Sequence, residues 1–190
     1  IQANVTQGTL HYQPKFLQTK ISLLYVLLIK LEYPSTWETP FHFLFNLLQT
    51  PGPKPIDTLH LYLTITKVLM DEVVAYDTNR QSFEIQRNME IKYQMKNQNI
   101  YQQFFQIFVH ILQRYNNNNN NININSINSS SNNNNSDNGD NEGKQKILVH
   151  CLATMTEWIG WVHLSIASSP DILKGIFSCL NHATSYTVRM

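Results

Sequence analysis

Residues 100–115 read IYQQFFQIFVHILQRY, and this stretch decides the fold class. Its large apolar side chains Ile100, Phe104, Phe108, Ile111 and Tyr115 recur every three or four positions. That is the period of one helix face, whereas a half-buried strand would alternate every second residue. Working outward toward the N-terminus, Asn97-Gln98-Asn99 reads as a break, and Ser82 as the cap of a more polar helix with Ile85, Met89 and Met95 facing the core. Before it, Asp57 is expected to cap a helix striped by Leu59, Leu63, Thr66, Met70 and Val73, with Asp77 to Asn79 as its exit. The proline-rich run Pro51 to Pro55 reads as a linker. Thr39-Pro40 supplies a cap and first helical position for a short helix carrying Phe41, Leu44, Phe45 and Leu48. The most N-terminal helix shows a stripe of Leu17, Ile21, Leu24, Leu28 and Leu31, ended at Glu32-Tyr33-Pro34 because proline disfavours a helical residue before it.

Toward the C-terminus the composition changes abruptly. Asn116 to Asn141 is almost wholly asparagine and serine, too poor in large side chains to offset its ordering entropy, so residues 116–145 are expected to be a disordered insertion. Periodicity returns near Lys146, with Leu148, Cys151, Met155, Trp158 and Val162 on one stripe. Ser169-Pro170 repeats the cap-then-proline device ahead of Leu173, Ile176, Phe177 and Leu180. The expected organisation is therefore helical repeats over 1–115, the insertion over 116–145, and a further truncated repeat over 146–190. Paired helices joined by short turns predict an all-α fold, a HEAT-like helical-repeat superhelix (an alpha-alpha solenoid) of about three to four repeats. A first residue of Ile and a last stretch that stops inside a helical pattern are read as marks of a longer solenoid, in which each repeat touches only its neighbours.

A formal net charge of +1 over 190 residues does not by itself announce a nucleic-acid binder. Two cysteines give no disulfide framework. The most apolar run, Ile21 to Ile29, is about half the length a membrane span requires, so no membrane insertion is expected. Catalytic and metal-binding readings find no foothold. Gly143-Lys144 lacks the second glycine and preceding strand of a phosphate loop. Cys151 belongs to an apolar stripe while His150 points elsewhere, so it and Cys179 read as packing residues and not as half of a zinc site with His182. The adjacent carboxylates of Asp71 and Glu72 diverge on a helix and form no acid/base couple. No enzyme activity, metal or cofactor is expected.

Several segments are more specific than helicity requires. Glu32-Tyr33-Pro34-Ser35-Thr36-Trp37, with Phe41 and Phe43 after it, is similar to the EYP-x-x-W…FF signature in the N-terminal exportin/importin-beta-like region of exportins. Leu59 to Leu63 and Asp71-Glu72-Val73-Val74 match the DLYLRIL…DEVV stretch of the exportin-T family. Arg87 to Lys96 (RNMEIKYQMK) resembles that family's RN-x-x-IKD-x-MR segment, and Trp161 to Ser165 its WIDLS. The matches keep the family's order. Three positions depart from it: Tyr93 and His163 stand where the family has acidic residues, and Lys96 replaces an arginine, keeping charge without the bidentate fork.

The resemblance implies part of a karyopherin that carries tRNA from nucleus to cytoplasm, shuttling through the nuclear pore. Its implied partners are tRNA, Ran in its GTP-bound form and nuclear pore proteins. RanGTP and tRNA would be held together in a superhelical clamp, each raising the affinity for the other. Arg87, Lys92 and Lys96 are the candidate RNA- or Ran-binding residues, with Lys92 and Lys96 on one helix face and Arg87 at a different azimuth. The competing role for them is pairing with Glu84 or Glu90 or a solvated face. A karyopherin or HEAT scaffold for protein cargo without RNA is the alternative function.

Overall fold

A computed structural model of the protein describes residues 15–49, 55–117 and 137–177. The described backbone is helical apart from short connections: α1 (Lys15–Glu32), α2 (Pro40–Gln49), α3 (Pro55–Leu69) running into a π-helical turn (Met70–Val74), α4 (Ser82–Asn97), α5 (Ile100–Asn117), α6 (Asp137–Trp158) with a 3-10 turn (Ile159–Trp161), and α7 (Leu164–Ala167). Residues 170–177 form a further helical stretch. The architecture is all-α, a HEAT-like repeat fragment. It divides into two compact units, Ile1–Tyr101 and Gln102–Met190.

In the first unit α3 packs against both α1 and α2, and the π-helical turn packs against α4. The expected α3 stripe is buried from end to end, Leu59, Leu63, Thr66, Met70 and Val73 included. Thr66 is tolerated there because its hydroxyl donates to Leu63 O at 2.9 Å, as Ser22 of α1 donates to Gln18 O at 2.8 Å. Between α1 and α2 the chain turns through a cis Tyr33–Pro34 bond. An aromatic cluster fills that corner. Tyr33 sits edge-on to Phe41, Trp37 edge-on to Tyr25, and the Tyr25 hydroxyl donates to Pro40 O at 2.7 Å.

Some helix starts differ from expectation. Pro55 is the first residue of α3, where its missing N–H is no loss, and Asp57 lies in the first turn as a charge facing the positive helix end. Gln81, not Ser82, takes the N-cap of α4. The predicted exits hold: Asp77 Oδ1 accepts from Asn79 N at 2.9 Å, and Asn99 breaks the chain between α4 and α5 with a left-handed φ of 54°.

The orientation of α1 is the largest correction. Ser22, Val26 and Ile29 are buried, whereas Leu24 and Leu31 of the predicted stripe are 59% and 73% exposed. Leucines and isoleucines surround most of this helix, so periodicity alone cannot say which side meets the core. Met89 of α4 is likewise exposed, and Leu173 and Phe177 point out while Ile172 is buried.

In the second unit the predicted α5 positions Phe104, Phe108, Ile111 and Tyr115 are all buried. Phe104 lies 5.0 Å from the buried Trp158 of α6, and the Cys151 thiol approaches Phe108 O at 3.5 Å, a packing cysteine as expected. Helix α6 ends before Val162, which is extended, so the tryptophan stripe stops at Trp158. Helix α5 continues to Asn117 and α6 begins at Asp137, so both reach into the asparagine-rich segment expected to be disordered. Adding residues to a formed helix costs little compared with nucleating one. Residues 118–136, along with Cys179, Leu180 and His182, lie outside the described residues.

Candidate functional site

Helix α4 has two unlike sides. Asn88, Ile91 and Met95 face the core, while Met89, Tyr93 and Lys96 face outward, Met89 and Tyr93 being 61% and 63% exposed. The spacing of Met89, Lys92, Tyr93 and Lys96 (i, i+3, i+4, i+7) makes them one contiguous patch.

The inner edge of α4 is held by a polar seam. Arg87 reaches across to the C-terminal end of α1, where its Nε donates to Lys30 O at 2.7 Å and Nη2 donates to Tyr33 O and, at 3.5 Å, to Leu31 O. Its Nη1 pairs with Glu90 at 2.6 Å. The last carbonyls of a helix have no partner within the helix and carry partial negative charge, so a guanidinium suits this position on both counts. Next to it, Asn88 Nδ2 donates to Glu72 O at 2.9 Å, tying α4 to the π-helical turn. Lys30 lies between Glu84 at 2.5 Å and Glu72 at 3.5 Å. Arg80 donates to Ala75 O at 2.8 Å and to Asp71 O. Lys30 and Arg87 thereby join α1, the π-helical turn and α4, and Arg80 ties the connection before α4 back to that turn.

The structure thus separates the three residues singled out by sequence. Arg87 is 23% exposed and spent on backbone carbonyls and Glu90. Lys92 and Lys96 stay together on the outer side, with Lys96 exposed and Lys92 half-buried. Partial burial, and then the positive charge of Arg80, hold the Lys92 ammonium below the usual lysine pKa. A cation that is partly stripped of water gains more from meeting an anion than a fully solvated one does. Sequence reasoning missed Met89 as a surface residue and Tyr93 as a neighbour of the lysines. The departure of Tyr93 from the family's acidic residue was the available signal, since it leaves this patch with one negative charge fewer. Among the described residues no group of three His, Cys, Asp or Glu could hold a metal ion, and no helix is long and apolar enough to cross a membrane.

The family model for Exportin 1-like proteins matches residues 14–188. The chain belongs to the exportin 1-like family. Exportin-T of Dictyostelium discoideum is 33% identical to it over 97 residues, a match covering 50% of this chain and 8% of that protein. No solved structure matches. Within this exportin-like chain each motif has a local role: EYPSTW builds the aromatic corner, DEVV the π-helical turn, and the Arg-Asn pair the seam. In the WVHLS segment His163 caps α7, its ring accepting from Ser165 N at 3.3 Å, a task the aspartate at that position can also perform.

Proposed function

We propose that this chain is part of a nuclear transport receptor that carries tRNA from nucleus to cytoplasm in a complex with GTP-bound Ran, and that it acts by binding and not by catalysis. Family membership over residues 14–188 supports a transport receptor of the karyopherin type. The match to a protein named Exportin-T supports tRNA as cargo. The site is the outward patch of α4, and the single observation that carries it is the layout of that helix: Arg87 is held by carbonyls of α1 and by Glu90, while Lys96, Tyr93 and Met89 are exposed with the half-buried Lys92 among them. Lysines at this spacing neutralise neighbouring phosphates, and an exposed tyrosine offers a stacking face to an unpaired base. Arg87 takes part as a positioning residue that fixes α4 against α1.

Shuttling through the nuclear pore, with pore proteins as further partners, belongs to the same proposal. The deciding experiment is retention of tRNA by the full-length protein with and without GTP-loaded Ran. Ran-dependent retention is the expected result, and its absence would sink the tRNA reading. The net charge of +1 favours one second reading, a receptor for protein cargo that binds no RNA. In that case Ran would still bind and tRNA would not.

A further inference from the structure

The second unit holds a cleft of about 470 Å³ that plays no part in the patch on α4. One wall is a stripe of α5 bearing Gln102, Gln106, His110 and Gln113, and the other is built from Ser165, Ser169 and Asp171. Val109, Ile166 and Ile172 form an apolar floor. Val109 is 8% exposed and lies at the edge of the buried face of α5, between Phe105 and Leu112. No hydrogen bond or ion pair within the described residues uses the side chains of Gln102, Gln106, His110, Gln113 or Asp171. Three primary amides on one exposed stripe therefore keep their donors and acceptors available.

From these observations we infer that the cleft binds an extended polypeptide segment through its main chain. Each glutamine amide can donate to a peptide carbonyl and accept from a peptide N–H at once. Gln102 and Gln106 are separated by a rise of about 6 Å along the helix, close to the roughly 6.6 Å that two residues span in an extended chain. The run from Gln102 to Gln113 covers about 16 Å, room for about five extended residues. In an extended segment alternate side chains point the same way, so every second one falls on the Val109, Ile166 and Ile172 floor. Asp171 is the single charged residue of the lining and favours a basic residue in the bound segment. With no lysine or arginine in the lining, a phosphodiester backbone would meet amides, two hydroxyls, an imidazole and a carboxylate in place of the fixed cations it needs.

The test uses the full-length protein and a fluorescein-labelled pool of heptapeptides that alternate Val, Ile or Leu with Ser, Thr or Asn and end in Lys. Saturable binding is expected by fluorescence anisotropy. The same pool N-methylated at two backbone amides should bind at least tenfold more weakly, because methylation removes main-chain donors and leaves the side chains alone. Gln106→Ala combined with Gln113→Ala should also cost at least tenfold. Both positions are exposed and alanine is a strong helix former, so the far-ultraviolet circular dichroism and unfolding midpoint should not move. Lys92→Glu with Lys96→Glu should leave peptide binding unaltered, which keeps this result separate from the fate of the tRNA reading. No saturable binding, equal binding of the N-methylated pool, unchanged affinity of the glutamine variant, or displacement of the peptides by oligouridine would each overturn the inference.

Discussion

Replacing Arg87 by alanine should destabilise the protein without touching the outward face of α4. Of its four contacts, two are strong: Nε to Lys30 O at 2.7 Å and Nη2 to Tyr33 O. The contact to Leu31 O is long at 3.5 Å, and Glu90 is half exposed, so these two add little. A hydrogen bond from a charged group contributes about 1.5–3 kcal/mol, more than a neutral one, but part of that is lost where water can replace the donor. With Arg87 mostly covered, the two strong bonds together contribute about 2–4 kcal/mol. For a chain of this size each kcal/mol lowers Tm by roughly 2–4 °C, so the loss is well within reach of urea denaturation followed by circular dichroism. Lysine at this position reaches one carbonyl and cannot fork, so Arg87→Lys should recover about half of the loss. The reasoning fails if Arg87→Ala unfolds at the parental urea midpoint while losing RNA or Ran affinity, since that would make the guanidinium a contact residue and not a clamp.

The converse pair of substitutions is equally informative. Lys92→Glu with Lys96→Glu should leave the urea midpoint near the parental value, weaken tRNA retention, and reduce the slope of log affinity against log salt by roughly 1–2; an unchanged affinity and slope would return both lysines to a solvated role. Trp158→Ala should cost about 3–5 kcal/mol by opening a cavity against Phe104, measured by denaturant unfolding. The phenols of Tyr25, Tyr33 and Tyr101 are pushed up chiefly by burial. A folded pKa above the unfolded one means their contribution to stability is complete below about pH 10 and is lost as the pH climbs toward the raised values. Ultraviolet titration should accordingly show them ionising only after the exposed tyrosines, or with alkaline unfolding. His163→Asp should hold the α7 cap at least as well, shifting stability upward by up to about 1 kcal/mol; a marked loss would show that the ring does more than cap.

How far the sequence led depends on the element. On α5 one face is richly apolar and the other is not, so the buried stripe could be read directly, while α3 is covered on most sides and an apolar stripe along it could hardly miss the core. On α1 the apolar residues go most of the way round. Only the neighbours α3 and α4 choose Val26 and Ile29 over Leu24 and Leu31, and neighbours are not written in a helix's own period. The same limit applies to the site. Arg87, Lys92 and Lys96 look alike as a basic cluster, but Arg87 finds its partners more than fifty positions earlier, at carbonyls exposed only because α1 ends there. Backbone acceptors leave no mark in composition. The helix and its charged residues were legible; their sorting into clamp and surface came with the fold.

The π-helical turn at Met70–Val74 carries a last consequence. Ala75 N bonds five residues back to Met70 O at 2.8 Å, which frees Asp71 O for Arg80, while Glu72 O receives Asn88. Such a turn is in effect one residue more than a regular helix needs, and each α-helical residue advances the chain by about 100° around the axis. Deleting one residue of this segment would let α3 regularise, and the amide at its end would return to the carbonyl four residues back, taking up an acceptor of the kind Arg80 now uses. The connection leading into α4 would lose that anchor on the turn. The freed carbonyls depend on the number of residues in the segment, so in relatives of this chain its spacing should endure even where its exposed side chains drift.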